Sequence, residues 1–274
     1  MQDLDIADLK RLSELIYDRY HYDFRNYAMS SFKRRVVRIL ELKKLSLSCL
    51  LDKLTVTPPF IHEFIDELTV NVTEMFRDPG FWKLMYREVV PAIRGNKNPI
   101  RIWHAGCSSG EEVVSMCILL KELGRLDDVS ITATDLDANM LKRAQSASFP
   151  LNSMAVNEKN YRDFTGAEDT LRKYYAEKDG SAIFDPDLMR QVSFVRHDLV
   201  LGEVFDRFDL ILCRNVMIYF NQSLQNDVLR KLHESLNMSG FLSVGSKESL
   251  IWCDYGNRFA VVNNDEKIYK KIKE

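Results

Sequence analysis

The chain has 274 residues, and its 38 basic and 40 acidic side chains leave a formal net charge of -2. This balance gives no general reason to expect nucleic-acid binding, and no apolar run approaches the roughly 20 residues that span a bilayer. The acidic, amphipathic start is unlike a signal peptide, so a cytoplasmic protein without membrane insertion is expected. The five cysteines lack a metal-type spacing, which predicts buried free thiols and no bound metal.

The beginning of the chain carries helical patterns and no strand pattern. Apolar residues recur at helical spacing in four segments, of which the second is expected to be capped by Ser30 or Ser31 and the third to stop before Pro58. Short helices with short connections are typical of a small bundle. We therefore predict an all-helical N-terminal domain over residues 1-75.

The second of these helices is strongly basic. Its cations are Lys33, Arg34, Arg35 and Arg38, and Arg25 lies just upstream. Because the whole chain is nearly neutral, this cluster is a local feature. The pattern alone is compatible with a solvated helix face or with a docking surface for an acidic partner.

A linker helix is predicted over residues 76-98. Asp78 followed by Pro79 is a common helix start, with aspartate as the N-cap and proline at the first helical position. The pattern predicts a helix over Phe81–Val90, closed by Pro91.

The segment before this helix mixes polar and apolar residues. The polar residues are Asn71, Thr73, Glu74 and Arg77. They alternate with the apolar residues Val72, Met75 and Phe76. Polar groups spaced through an apolar segment indicate that some of them point into a site.

The stretch Ile100–Asp135 reads as strand, small-residue turn, helix, strand and acid. The turn contains Gly106 and Gly110, which let the backbone turn tightly and approach a ligand. The acid at the end, Asp135, can accept hydrogen bonds from a ribose diol. This is the layout of a nucleotide-binding βαβ unit.

The details of the turn argue against a dinucleotide. The turn is not Gly-x-Gly-x-x-Gly, and the helix begins with Glu111 and Glu112. Two carboxylates suit a helix N-terminus but repel a bound phosphate. A cationic nucleoside without phosphate, such as S-adenosylmethionine, fits better; an ordinary α/β crossover with exposed acids is the open alternative.

The rest of the chain predicts an α/β domain over residues 99-274 with a small β-hairpin insertion at about 170-190. The predicted elements are a helix over 138–147, a polar helix over 157–164, a hairpin of 172–176 and 181–184, strands over 192–195, 208–213 and 241–244, a helix from the Asn221 cap to Leu236 that Gly240 ends, and an antiparallel pair over 259–262 and 267–271. Parallel units that finish in an antiparallel hairpin favour a methyltransferase sheet over a dehydrogenase sheet.

Polar groups follow several strands at their carboxyl ends, where open α/β sheets bind ligands. They are the turn at 106–112, Thr134-Asp135, His197-Asp198-Leu199 and Arg214-Asn215. We expect Asp135 to hold a ribose, and Asp198 with Leu199 to flank an adenine edge. Tyr219 lies shortly after Asn215, and its pattern suits either the same rim or simple packing.

Five stretches, NVTEMFRDP, WHAGCSSGEE, ATDLD, ILCRNVMIYFN and GSKESL, resemble the chemotaxis-receptor methyltransferases, the CheR family. They occur in the family's order, behind a small helical domain. The resemblance implies a class I, Rossmann-like methyltransferase sheet that uses S-adenosylmethionine and releases S-adenosylhomocysteine. It implies glutamate methylation on the cytoplasmic signalling helices of chemoreceptors, by a monomer that does not bind nucleic acid.

The resemblance also implies roles for individual residues. The implied cofactor contacts are Asn71, Thr73, Arg77, Glu111, Asp135, Asp198, Leu199, Arg214 and Asn215, to which our interpretation of the turn adds Gly106. Arg77 and Tyr219 would stand near the methyl group as catalytic residues. The basic second helix, with Arg25, resembles the family's receptor-docking element, and the hairpin resembles its β-subdomain.

The sequence departs from the family pattern at a few positions. His104 stands where serine is usual, Val113-Val114 where Pro-Tyr is usual, and Ala147–Pro150 lacks a common Gly-x-Tyr. These changes bear on substrate preference more than on cofactor binding, and the short hairpin favours docking without a receptor tether. The alternatives are a methyltransferase for another protein or a small molecule, and a non-catalytic regulator that binds S-adenosylmethionine.

Overall fold

A helical layer precedes an α/β domain in the computed structural model of the chain, which describes residues 4–69, 73–93, 99–166, 170–204 and 206–274. Within these ranges, no helix combines the length and the apolarity that crossing a membrane requires. The predicted division at residues 75 and 98 stays a prediction.

Four helices form the N-terminal layer around one apolar core, as the apolar spacing predicts. They are α1 (Ile6–Tyr20), α2 (Met29–Lys43), α3 (Leu47–Val56) and α4 (Phe60–Leu68). Leu12, Val36 and Leu50 are fully buried in this core. Cys49 on α3 is exposed, whereas the other four cysteines are buried, so the prediction of buried thiols is wrong for Cys49.

The start of α2 differs from the prediction. The helix begins at Met29, with Ala28 at the N-cap and no capping side chain, so neither Ser30 nor Ser31 serves as the cap. The backbone N–H of Ala28 instead donates to the carbonyl of Tyr219 at 2.8 Å. Pairing with a distant segment, which local spacing does not reveal, therefore fixes where this helix starts.

The linker helix continues past the proline that was expected to close it. It runs through α5 (Pro79–Leu84), a π-helical turn (Met85–Val89) and α6 (Val90–Ala92). In the π turn the N–H of Val90 donates to the carbonyl of Met85, one residue farther back than in an α-helix. This shift accommodates Pro91, which has no N–H to donate.

A seven-stranded sheet is the centre of the α/β domain, in the order β6-β2-β1-β7-β8-β10-β9. Its strands are β1 (Ile100–Ala105), β2 (Val129–Asp135), β6 (Val192–Arg196), β7 (Phe208–Cys213), β8 (Leu236–Val244), β9 (Phe259–Asn263) and β10 (Ile268–Lys271). The first five strands in this order are parallel, and β10 is antiparallel to both of its neighbours. The predicted methyltransferase-type sheet is thus confirmed.

Four helices accompany this sheet: α7 (Glu111–Glu122), α8 (Ala138–Ser146), α9 (Met154–Thr165) and α10 (Gln222–Glu234). Side chains of β7 alternate between two cores. Leu210 and Leu212 pack with α7 and the linker helix, while Ile211 and Cys213 pack with α10. Strands buried on both faces explain the continuous apolar run of β7.

The insertion is a three-stranded sheet in the order β3-β5-β4, made by β3 (Ser148–Pro150), β4 (Tyr175–Lys178) and β5 (Ser181–Phe184). The hairpin prediction is confirmed at β5. The first strand starts later than predicted, because Leu171–Tyr174 forms a 3-10 turn. The three-residue strand β3 is too short for period-2 alternation to show it.

The role predicted for Gly240 is wrong. Helix α10 ends at Glu234, and Gly240 lies inside β8 near a shift in the pairing with β7. A Cβ atom at Gly240 would lie 2.8 Å from the carbonyl oxygen of Asn237. Glycine is therefore required by the irregular strand and not by a helix end.

Candidate active site at the carboxyl edge of the sheet

A cleft opens where the strand ends of the sheet meet the N-terminal helices. It holds about 1240 Å³ of space including its open mouth, and both layers contribute to its wall. Of the predicted site residues, the wall contains Thr73, Arg77, Gly106, Asp135, Asp198, Leu199, Arg214, Asn215 and Tyr219. The polar strand ends that the sequence singles out therefore face one common space, large enough for a nucleoside.

The glycine turn forms one end of the cleft. Gly106 has φ +84°, and a Cβ atom there would lie 2.6 Å from Cγ2 of Val216. The N–H groups of Gly106 and Cys107 both donate to the carbonyl of Thr134 at 2.8 Å. Because these donors are engaged within the protein, the turn does not form a phosphate cradle.

Asp135 is held rigidly at the end of β2. Its carboxylate accepts the N–H of Ser108 at 2.8 Å and the N–H of Asp137 at 3.0 Å. Burial raises the pKa of Asp135, against the lowering effect of these hydrogen bonds. Ser108 Oγ is buried without a hydrogen-bond partner in the described part of the chain, so it can serve a ligand here.

The two glutamates at the start of α7 point in different directions. Glu111, the predicted cofactor contact, is not among the described residues of the cleft wall, whereas Glu112 is. The Glu111 carboxylate accepts a hydrogen bond from Ser109 Oγ at 2.7 Å. Burial raises the pKa of Glu111 to about 6. The cofactor role of Glu111 stays a prediction, and Asn71 lies outside the described residues.

Glu112 belongs to a buried charge network. One carboxylate oxygen lies 2.9 Å from His104 Nδ1, and the other lies 3.5 Å from a guanidinium nitrogen of Arg214. Burial pushes the pKa of Glu112 up, but the bond to His104 and the charge of Arg214 outweigh it, so this pKa lies below its usual range. Glu112 therefore presents a negative charge to the cleft.

Arg214 joins this network to the start of the linker helix. Its guanidinium donates to Asp78 at 2.7 Å and lies 3.9 Å from the ring centroid of Phe81. Asp78 stands at the predicted N-cap position but makes no capping bond. The carboxylate instead compensates Arg214, whose side chain is only 2% exposed. Arg214 is thus occupied by protein carboxylates and fixes Glu112 in place.

A second acid, Asp198, lies at the end of β6. Its carboxylate accepts the N–H of Val200 at 2.7 Å and faces the cleft. The ammonium of Lys231 on α10 donates to the carbonyls of Leu199 at 3.2 Å and Val200 at 2.6 Å. Lys231 on α10 therefore holds the backbone of the loop that is predicted to flank an adenine.

The segment 73–78 forms the roof of the cleft. The N–H of Met75 donates to Asn157 at 3.0 Å, and the N–H of Phe76 donates to Ser115 Oγ at 2.9 Å. The indole of Trp82 donates to the carbonyl of Arg77 at 3.0 Å. Side chains of α7, α9 and the linker helix thus fix the backbone of Met75, Phe76 and Arg77.

Comparison with known proteins agrees with this geometry. The profile of the family "CheR methyltransferase, SAM binding domain" matches residues 71–268, and that of "CheR methyltransferase, all-alpha domain" matches residues 7–69. The "Putative methyltransferase Cher3" of Pseudomonas putida is 41% identical over 265 residues, which cover 96% of each chain. The chain belongs to the CheR family. The family resemblance in the sequence is thus confirmed, and the protein is an S-adenosylmethionine-dependent methyltransferase.

Two further relatives are named as chemotaxis enzymes. The "Chemotaxis protein methyltransferase" of Listeria innocua is 31% identical over 245 residues, which cover 88% of this chain and 89% of the relative. The "Chemotaxis protein methyltransferase 1" of Vibrio cholerae is 32% identical over 217 residues, which cover 76% and 75%. The likeness to these chemotaxis proteins therefore extends over both the helical and the α/β parts.

The cleft suits the methyl donor that this family uses. Its wall carries the carboxylates of Glu112, Asp135 and Asp198, and the unpartnered hydroxyl of Ser108. The donor carries a sulfonium, an ammonium and a ribose diol but no phosphate. Acidic and neutral acceptors match those groups, while the engaged N–H groups of the turn would offer little to a phosphate.

The basic cluster that the resemblance assigns to receptor docking is divided by the structure. Arg34 and Arg38 on α2 are exposed, whereas Arg35 lines the cleft. Arg25 forms an ion pair with Asp23 at 2.7 Å and is occupied within its own domain. Lys33 lies on the same helix and is partly exposed.

Tyr219 stands at the mouth of the cleft and faces α2. Burial raises the pKa of Tyr219, against the lowering charges of Arg35, Arg77 and Arg34. The phenol therefore feels the charges of arginines on α2 and of Arg77 in the segment 73–78. Arg35 was expected only to dock a partner. The sequence signal that could have placed Arg35 in the cleft wall is its position three residues after Phe32, on the same face of α2. Phe32 also lines the cleft.

Proposed function

We propose that the protein transfers a methyl group from S-adenosylmethionine to glutamate side chains on the cytoplasmic signalling helices of chemoreceptors. One observation carries the proposal: a single cleft is lined both by the acids Glu112, Asp135 and Asp198 and by the cations Arg35 and Arg77. The charges of Arg35 and Arg77 also act on Tyr219 in the same wall. Acids suit a cationic donor, and cations suit a carboxylate acceptor.

The three acids would hold the donor through distinct contacts. Glu112 would accept the amino group of its methionyl part, Asp135 the ribose hydroxyls, and Asp198 with the loop at Leu199 the adenine edge. Thr73 and Asn215 line the remaining wall. S-adenosylmethionine supplies a methyl group that its sulfonium activates for transfer. Asn71 and Glu111 remain proposed contacts on family resemblance alone.

The mouth of the cleft would position the acceptor. A glutamate carboxylate is ionised at pH 7 and is already a nucleophile, so the reaction needs no strong general base. The enzyme must hold one carboxylate oxygen near the attack distance of about 3–3.5 Å. Arg77 and Arg35 would orient the carboxylate, and Tyr219 would donate a hydrogen bond to its other oxygen. A tight ion pair would lower nucleophilicity, so the cations position the acceptor and do not neutralise it.

The partner implied by this mouth is an acidic helix outside the protein. Arg34 and Arg38 are exposed on the same helix that sends Arg35 into the cleft. A protein that presents glutamates at successive turns would meet cations both on the surface and at the reacting position. Chemotaxis relatives support receptors as that protein. The proposal includes a monomeric enzyme that meets these helices in the cytoplasm.

The decisive experiment incubates the protein with radiolabelled S-adenosylmethionine and cytoplasmic fragments of methyl-accepting receptors. Base-labile methyl esters on glutamate are expected. Arg77→Ala should abolish transfer while it weakens donor binding less, because Arg77 orients the acceptor. Arg87→Ala, an exposed arginine on the linker helix, is the matched control. Failure of every fragment to accept a methyl ester, or full turnover of Arg77→Ala, would contradict the proposal.

A further inference from the structure

An exposed apolar pair lies between β8 and β9. Trp252 is 79% exposed, more than any other large apolar side chain in the described residues, and Ile251 beside it is 73% exposed. Exposed apolar side chains that stand singly are normal for a protein surface. A tryptophan and an isoleucine exposed side by side mark a contact surface.

The pair is held outward by a folded turn. The side-chain amide of Gln222 donates to the carbonyl of Trp252 at 2.9 Å, and that of Asn226 donates to Asp254 at 2.9 Å. On either side of the pair, Leu250 and Cys253 are 2% and 7% exposed. The turn is therefore anchored to α10, and the exposure of Trp252 is a property of the folded chain.

The turn also borders the mouth of the cleft. Asn215 and Tyr219 line the cleft, and the segment that carries them, 215–222, continues into Gln222. The carboxylate of Glu248 accepts the N–H of Asn215 at 2.9 Å and that of Ile218 at 3.0 Å. The chain from Glu248 to Trp252 thus runs beside residues 215–222, the rim segment. This segment leads from the cleft to the start of α10.

The basic helix borders the same segment by different contacts. Tyr27 forms an antiparallel bridge with Phe220, and the N–H of Asn221 donates to the carbonyl of Asn26 at 3.0 Å. These bonds bring the start of α2 to the rim segment. The rim is therefore contacted both by the start of the basic helix and by the turn that carries the apolar pair.

A partner that covers both features must be acidic and apolar on neighbouring turns. An amphipathic helix has this character, because residues three and four apart share a face. A second copy of this chain is a weaker candidate. One tryptophan buries about 150–250 Å², far below the roughly 800 Å² per partner of a standard interface.

We propose that Ile251 and Trp252 form a second docking contact for the helical protein substrate, on which apolar side chains of the substrate pack while the cations of α2 bind its acids. This inference rests on the proposed function, because it names how the same substrate is held. Tryptophan suits the role, since binding energy concentrates at such residues. The contact would fix the rotation of the helix and thereby select which glutamate enters the cleft.

The test measures methylation and binding of a receptor signalling fragment by wild-type protein and by the double variant I251S/W252S. The double variant should raise the KM for the fragment about tenfold, as expected for loss of a central contact residue, with kcat and donor affinity unchanged. Trp252→Phe should retain most of the affinity. Val56→Ser is the matched control, because Val56 is 77% exposed on the N-terminal layer.

Fluorescence supplies an independent reading of binding. Of the three tryptophans, Trp82 and Trp103 are each 1% exposed, so quenching by acrylamide reports mainly on Trp252. Addition of the fragment should protect Trp252 from quenching and shift its emission to shorter wavelength.

The outcomes separate the inference from the proposed function. Wild-type methylation with an unchanged KM in the double variant overturns the docking contact alone. Binding that depends on Trp252 without any methyl transfer supports the contact and overturns the function. Neither binding nor transfer overturns both. A wild-type dimer in sedimentation that the double variant dissociates would assign the pair to self-association and also overturn the contact.

Discussion

His104 Nδ1 lies 2.9 Å from a carboxylate oxygen of Glu112, and the imidazole is completely buried within β1. An ionised carboxylate only accepts hydrogen bonds, so the imidazole nitrogen donates. His104 also stands at a position where the family resemblance leads us to expect serine. The imidazole therefore places a hydrogen-bond donor directly behind Glu112, the carboxylate that we propose binds the amino group of S-adenosylmethionine.

Replacing His104 by alanine should weaken donor binding about tenfold at pH 7, since a hydrogen bond to a charged buried group contributes roughly 1.5–3 kcal/mol. The pKa of Glu112 is lowered in the folded protein, so its contribution is present at high pH and is lost as pH falls through that pKa. Without His104 the loss should begin at higher pH. Calorimetric titration of S-adenosylhomocysteine from pH 5.5 to pH 8 measures this, with the exposed His62→Ala as control.

The two adjacent glutamates give a direct comparison of sequence and structure. Glu112→Gln should weaken donor binding much more than Glu111→Gln, because only Glu112 lines the cleft and carries a lowered pKa. The two variants serve as controls for each other, since each removes one negative charge from the start of α7. Equal losses of affinity in equilibrium binding would show that Glu111 contributes to cofactor binding as much as Glu112.

Charge reversal on α2 should separate docking from donor binding. The double variant R34E/R38E alters two exposed side chains outside the cleft wall. Methylation of receptor fragments should fall at least tenfold in kcat/KM, and more at low ionic strength, because surface charges act mainly by steering. Donor affinity should be unchanged. The control K10E/R11E makes the same change in charge on the exposed side of α1; similar losses in both variants would contradict a specific docking helix.

Lys231 should act on the donor without contacting it. Its ammonium holds the carbonyls of Leu199 and Val200, so Lys231→Met should release the loop that flanks the proposed adenine position. We expect a several-fold higher Kd for S-adenosylmethionine and an almost unchanged kcat, with recovery in Lys231→Arg. A loss of kcat at saturating donor would show that the residue does more than position this loop.

Features that depend on a local pattern were predictable from the sequence. The run Phe208 to Cys213 is apolar throughout because β7 is buried on both faces, and Asn221 caps α10 as its side chain suggests. The strand-end polar groups were also identifiable, because parallel strands align their carboxyl ends. These rules predict the strand-end part of the cleft wall, to which the N-terminal layer adds residues such as Tyr27 and Phe32.

Features that depend on distant partners were not predictable. The start of α2 is set by a hydrogen bond from Ala28 to Tyr219, and Asp78 is drawn away from its capping role by Arg214. Neighbours on a helix differ by about 100° in direction, so sequence alone does not choose between Glu111 and Glu112. The proposed preference for Glu112 rests on its contact with His104, which lies on β1.

The hydrogen bond between Ala28 and Tyr219 joins the first turn of α2 to the rim of the cleft in one rigid unit. Neither side can shift without breaking backbone pairing to the other. The distance from a surface cation on α2 to the phenol at the cleft is thus set before any partner arrives. We therefore expect a helix to be modified only where the spacing between its acidic side chains already matches this fixed distance.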